Sequence, residues 1–355
     1  MNILRKIHSM RRRNQVVLVL ALSILFWSIF PEFDNGKYLR PPMKTVPTLQ
    51  PCVELRPEVE RGPYQEAAVE KSGNYCLASD FWQRRLSDGA GHYGPAPYRH
   101  LLDVKGRNVV IDLRNHVLHS DGHSSGIIGS IDEDTLKYLD VKTSIFKLAG
   151  QITIMNGSID LRGLGTGVSI VKKLDMRNID VEIKEANKNY EARRIILENL
   201  RIKTDNVAIK LEGSGNIIRN CVIESGGASA IMLAGPGGQI VNNSIILKNP
   251  FIPGSMRGVN FGEPSDFSEL FEERGRPKAA ITLHQATGTV ISGNRIEVKG
   301  KSPTRHNIYL TDASENVLIE GNTFVGSDEP VTQVKGSTAI MKNNVFEQRK
   351  PWWKF

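Results

Sequence analysis

Between residues 193 and 243 short apolar runs alternate with asparagine and glycine: IILEN, VAIKL, NIIRN, AIML and QIVNN, set apart by GSG, GGAS and GPGG. Each run is rich in β-branched residues and bounded by turn formers, the pattern of a short strand. Asn199, Asn220 and Asn243 mark the corners, at intervals of 21 and 23 residues. A period of that size, with several strands per repeat, predicts a solenoid whose coils cover one another. We expect an all-β chain folded as a right-handed parallel β-helix with three strands per coil.

Asparagine suits such a corner for two reasons. It tolerates the left-handed backbone of a sharp bend, and its amide can donate to the same residue one coil on. The recurrence extends outward, through Asn115, Asn156 and Asn178 on one side and Asn294, Asn322 and Asn344 on the other. Leu118, Ile159, Val181, Ile202, Ile223, Ile246 and Val325 each lie three positions after an asparagine; Ile296 and Phe346 lie two after, so the register slips there. One ladder along the axis is expected, made of Asn178, Asn199, Asn220, Asn243, Asn294, Asn322 and Asn344.

Aligning the middle strands stacks Ile209, Ile231, Ile281, Ile308 and Thr332, with Leu211, Leu233, Leu283, Leu310 and Val334 two positions on. Alternation turns these inward. The outward line is then Lys210, Met232, Thr282, Tyr309 and Gln333, with Glu212, Ala234, His284, Thr311 and Lys335 beside it. From Asn243 to Asn294 the period is broken by an insertion at 250–278, placed to overhang the face that holds His284; long loops in compact proteins are usually functional. The longer interval from Asn115 to Asn156 holds a second coil or a loop around IDEDTLKYLD.

The formal charge of +8 changes this picture little. Arg5, Lys6, Arg11, Arg12 and Arg13 precede the first acid, and without these five the 46 basic residues fall to 41 against 38 acidic ones. No groove-sized basic block remains, which argues against nucleic-acid binding. The basic start leads into an uncharged apolar run at 16–30, VVLVLALSILFWSIF. As a helix it spans about 22 Å, short of a hydrocarbon core of about 30 Å. Two readings compete, a cleaved signal peptide and a retained segment (a transmembrane anchor or uncleaved signal); no small-x-small cleavage pattern follows, which favours retention. Positive charge before the run places the N-terminus in the cytoplasm and the β-helix on the periplasmic or extracellular side of a single-pass inner membrane protein. The expected order is a basic segment 1–15, the apolar segment 16–30, a proline-rich exported linker 31–71, the β-helix 72–348 and a tail 349–355 whose PWWKF covers the last coil. Cys52 and Cys76 sit at the start of the exported part and are candidates for a disulfide in an oxidising compartment. Cys221 reads as a small core residue.

Two segments carry a family resemblance. SGNYCLASDFW, from Ser72, resembles the GxYxLxxD opening rung of exported β-helix proteins, and GRNVVIDLRNHVL, from Gly106, is similar to the NVxIDLxGHxL rung that follows it. Together they resemble the pectate-lyase-like superfamily from Ser72 onward. The resemblance implies a right-handed parallel β-helix, a pairing of the rung cysteine Cys76 with upstream Cys52, and a face that binds or cuts polysaccharides, especially acidic ones. TDNVAIKL, from Thr204, looks like the DDxxAIK motif of polygalacturonases, but Asn206 replaces the second acid and the next coil lacks the family histidine. A hydrolase needs paired acids, so that constellation is incomplete. Asp205, Glu212 and Glu224 do not form the acid cluster a calcium-dependent lyase requires, and the Asp-Pro-His-Asp signature of mannuronan epimerases is absent. His116, His119 and His123 are poorly spaced for a metal, since strand residues three apart face opposite sides.

The remaining cluster is His284 and Tyr309, with Arg305 and His306 nearby. We expect a membrane-anchored exported β-helix that binds an acidic polysaccharide through Lys210, Glu212, Arg305, His306 and Lys335, without a cofactor. The alternative is a uronate lyase or C5-epimerase with His284 as base and Tyr309 as acid, calcium entering only for a lyase.

Overall fold

The computed structural model describes residues 51–59, 65–83, 100–120, 125–129, 150–162, 165–171, 193–227, 229–248, 278–299, 305–311 and 313–347. All lie in the second of two compact units, residues 43–355. Every element described is a strand. No helix among these residues is long and apolar enough to cross a membrane; the apolar segment 16–30, the insertion loop 250–277 and the tail 348–355 lie outside the described residues.

The strands stack in three parallel columns, as expected for a β-helix. The first sheet holds the strands before each Asn corner, such as Ile217–Arg219, Gln239–Val241 and Val290–Ser292. The second holds those after it, such as Val222–Ser225, Ser244–Leu247 and Arg295–Val298. The third runs through Val168–Ile170, Ile209–Glu212, Ser229–Ala234, Lys278–His284, Arg305–Leu310 and Val331–Gln333. Pairing begins upstream of Ser72, where Val53–Leu55 lies parallel to Gly73–Leu77. Inward residues form one continuous apolar core, with Ile202, Ile223, Ile245 and Ile296 stacked in the second sheet at 0% exposure.

The corner between first and second sheets is two residues long, and its asparagines fall into two columns. Asn156, Asn199, Asn220 and Asn242 occupy the first position, all with positive φ, followed there by Gly293, Gly321 and Asn343. Asn243, Asn294, Asn322 and Asn344 occupy the second. In this second column each Oδ1 accepts from both the backbone N and the Nδ2 of the asparagine before it, at 2.8–3.1 Å. Each Nδ2 also donates to a first-sheet carbonyl: Ile218, Ile240, Ile291 and Ile319. The column starts beside Cys221, whose backbone N donates to Asn243 Oδ1. The single ladder expected from the sequence is therefore divided, which is why intervals of 21 and 23 replace two of 22. Asn199 bonds directly to Asn156, so no rung at Asn178 comes between them; Asn178 itself lies outside the described residues.

Where the second sheet turns into the third, small residues let two strands approach. Gly126, Gly167, Ala208, Ala230 and Ala280 stack there, and a Cβ on Gly167 would lie 2.4 Å from the Ala208 carbonyl. Asn307 continues that column, fully buried, donating through Nδ2 to the Ile296 carbonyl at 2.7 Å. At the N-terminal end Cys52 and Cys76 form a disulfide. Asp80, the last residue of the GxYxLxxD rung, accepts from Val117 N and bonds His116 Nδ1, tying one coil to the next.

Candidate functional site

The outer side of the third sheet changes in chemistry along its length: its strand His100–Val104 holds Asp103 beside Lys105 at 3.6 Å, and from Ser169 onward hydroxyl groups take over. The first sheet carries an ion pair from coil to coil, Glu198 with Arg219 at 2.6 Å. The second carries Glu224 with Lys248, and Arg295 with Glu347. Along the third, register places Ser169, Lys210, Met232, Thr282, Tyr309 and Thr332 in one outward line. Hydroxyl groups dominate that line.

They are paired with one another and with imidazoles. Ser229 Oγ and Thr282 Oγ1 are 2.6 Å apart, and His284 Nδ1 is 2.7 Å from Thr311 Oγ1. The carbonyl of Thr311 in turn accepts from Ser337 Oγ, so the partner of His284 is itself held. Tyr309 pairs in register with Thr282, which puts it one coil on from His284 and two residues back along the strand. With strands about 4.8 Å apart and a rise of about 3.3 Å per residue, their Cα atoms are about 8 Å apart on the same face.

The other residues singled out in the sequence are less close. His306 is buried, and its Nδ1 lies 2.9 Å from the Glu329 carbonyl and 2.8 Å from Thr332 Oγ1. A carbonyl only accepts, so Nδ1 carries the proton, and the ring holds the turn before Val331. Lys210 is three coil steps from Tyr309, or about 14 Å. Glu212 starts the line that passes through Ala234 to His284. Arg305 opens its strand opposite Lys278. Val331, not Thr332, pairs with Ile308, so the last coil is shifted by one from the expected alignment. Thr332 takes the outward place expected of Gln333, and Lys335 moves off the face onto the turn before Ser337. Ser229, Thr311 and Thr332 were missed by sequence reasoning; serine and threonine at outward strand positions were the available signal.

The model of a family described as NosD, periplasmic copper-binding protein, matches residues 147–351, more than half of the chain. The chain belongs to the NosD family. Its disulfide and the family's periplasmic description mark an exported protein. No curated protein matches the chain. Among solved structures, the enzymatically active domain of bacteriophage CBA120 tailspike protein 2 is 12% identical, with a TM-score of 0.48, covering 79% of this chain and 37% of that one. A tailspike protein of the E. coli bacteriophage HK620 is 11% identical, with a TM-score of 0.28, covering 79% of this chain and 54% of that one. The NosD-family chain thus spans between about a third and about half of the tailspike chains it matches.

The copper in the family description can be tested against the residues here. Copper favours imidazole, thiolate and thioether ligands gathered at one point. Among the described residues no three of His, Cys, Asp or Glu come together in that way. His116 is bound to Asp80, and His119 packs under Trp82 with ring centroids 4.7 Å apart. Cys52 and Cys76 are oxidised, and burial pushes the Cys221 thiol up to about 12. The described residues do not fit a copper site; His123 lies outside them.

Proposed function

We propose that this exported NosD-family β-helix binds a polysaccharide along the outer side of its third sheet. The observation that supports this is the run of paired hydroxyl and imidazole groups from Ser229 to Thr332 on that sheet. Parallel strands repeat those groups at a fixed spacing of about 4.8 Å, a surface suited to hydroxyls that repeat along an extended chain. Tyr309 adds a ring with a polar tip, able to pack on a sugar face and to hydrogen-bond. Recognition then rests on sugar hydroxyls, and the same outward line continues to the cationic side chain of Lys210.

The test is affinity electrophoresis of the whole chain through gels holding neutral or uronate polymers, with absorbance of unsaturated uronate read in parallel. We expect retardation that is weakened roughly tenfold, or ~1.4 kcal/mol, by Tyr309→Ala, and no unsaturated product. Migration unaffected by every polymer, or equal retardation of wild type and Tyr309→Ala, would sink the reading.

One observation favours catalysis as a second reading. If Thr311 Oγ1 accepts from His284 Nδ1–H, Nε2 carries the lone pair a base needs to take the C5 proton of a uronate. Tyr309 on the same face is then the acid. Absorbing product, or altered uronate composition by NMR, that disappears in His284→Ala would establish it.

A further inference from the structure

The disulfide of the first coil has a cation set against it. Cys52 stands just before Val53–Leu55, and Cys76 lies in the neighbouring strand Gly73–Leu77. The two sulfurs differ in access: Cys76 is fully buried, whereas Cys52 is half-buried beside Val53, which is 61% exposed. Arg114 Nη2 donates to Cys52 Sγ at 3.1 Å. Its Nε, on the same edge of the guanidinium fork, is buried with no hydrogen-bond partner. Nη1 is 4.0 Å from Glu54 Oε1, on a half-exposed side chain that Arg56 also contacts. A neutral sulfur is a weak acceptor, so the cation is only partly used while the bond is closed.

The backbone fixes where this side chain starts. Between the paired residues Asp112 and Val117 the corner holds Leu113, Arg114, Asn115 and His116, where the next coil has only Asn156 and Gly157. Arg114 has a φ of 49°, left-handed backbone that a long side chain rarely adopts. Its N donates to Oδ1 of Asp112, which is fully buried and also accepts from Asn156 Nδ2.

We propose that Cys52–Cys76 is an exchange-competent disulfide in which Cys52 is the reactive sulfur, Arg114 holds its thiolate, and dithiols and small disulfides are the reaction partners. Reduction by a dithiol breaks the S–S bond, oxidises the dithiol to its own disulfide and leaves both cysteines reduced. Cys52 then gives its proton to solvent, and its thiolate meets the Nη2 and Nε edge of Arg114 in a charge-assisted bond. In the return direction that thiolate attacks one sulfur of a small disulfide, whose other half leaves as a thiolate. Cys76 loses its proton to solvent, attacks the mixed disulfide at Cys52, remakes the original bond and expels the second thiolate. Access sets the order: the half-buried sulfur meets the partner, and the buried one resolves. Among the described residues, the other charged groups around the bond are Glu54 and Arg56 after Cys52, Asp112 opposite Cys76, and Asp80 with His116 at the corner. Three of these are acids that oppose a thiolate, which leaves Arg114 as the group that favours it.

The full-length chain is equilibrated with reduced and oxidised dithiothreitol, quenched in acid, alkylated and weighed. At pH 9.5, Arg114→Gln should move the equilibrium about tenfold toward the disulfide, or about 30 mV. At pH 6 Cys52 is protonated with or without the cation, and the difference should shrink below about twofold. Arg114→Lys should recover part of the shift. An equal shift at both pH values would mean that Arg114 acts only through the fold, and no shift at pH 9.5 would overturn the assignment. Should Arg114→Gln fail to fold, the reduced wild-type chain decides. Limited iodoacetamide at pH 7 should label Cys52 at least about tenfold faster than Cys76; equal rates, or Cys76 first, would sink the proposal.

Discussion

Single residues in this protein matter according to the column they occupy. Asn294 accepts twice and donates along the axis inside a buried corner, so Asn294→Ala strands several polar groups at once. Leaving buried donors unmade costs about 1–3 kcal/mol each, and we expect a loss of roughly 2–4 kcal/mol in urea unfolding. Asn220 stands in the other column, exposed and with a φ of 55°. Asn220→Gly relieves that backbone and should change stability by less than about 0.5 kcal/mol. The sequence shows both as corner asparagines and cannot separate them, because the columns differ by one residue while the coil length varies by as much. Cys221 behaves by position as well. Its thiol stays protonated when folded, up to about pH 12, against 9.0 for the ordinary thiol. Above pH 9 the unfolded thiol ionises and the folded one does not, so its contribution is whole below pH 9 and is lost as pH rises toward 12. At pH 8 the native chain should resist a thiol-reactive dye, and the urea-unfolded chain should take up one equivalent.

At the scale of elements, strands were far more legible than turns. The inward residues Ile209, Ile231, Ile281 and Ile308 follow from alternation alone and stack as expected. The last coil does not, because the turn before Pro330 fixes which residue enters the strand, and nothing in alternation counts turn residues. That one-residue shift moved Lys335 off the candidate face. The hydroxyl pairs were hidden for a related reason: Ser229 reaches Thr282, three positions beyond its own register partner Ala279, across the corner at Ala230 and Ala280, which strand alternation does not describe. The start of the solenoid was obscured by proline content, which reads as linker although Val53–Leu55 is a paired strand. The Cys52–Cys76 bond locks that strand to its neighbour across 24 residues. In the loop-entropy account a closed loop of this length contributes about 3.5 kcal/mol. Reduction should lower the melting temperature by several degrees and leave the far coils folded, a difference that hydrogen exchange resolved by peptide can read.

For the whole molecule, each coil touches the one before and the one after, so stability is close to a sum of neighbour terms. The corner between the first and second sheets is two residues long in every described coil from Asn156 onward, whereas the other corners hold the long segments 84–99, 130–149, 172–192 and 249–277. Length varies everywhere except at the amide seam. The seam is therefore a joint at which the solenoid can be respliced. Removing 221–242 joins Asn220 to Asn243, keeps both faces of every strand in phase and brings Ser244–Leu247 down onto Arg201–Thr204. The shortened chain should fold cooperatively with one rung fewer, whereas removing one residue more, 221–243, takes away one corner residue and slips the following strand by one, turning its inward side chains outward, and should not. A β-helix with one corner of fixed length works as a rack: its length is set by the number of rungs, and each rung added or removed at that corner leaves the others in place.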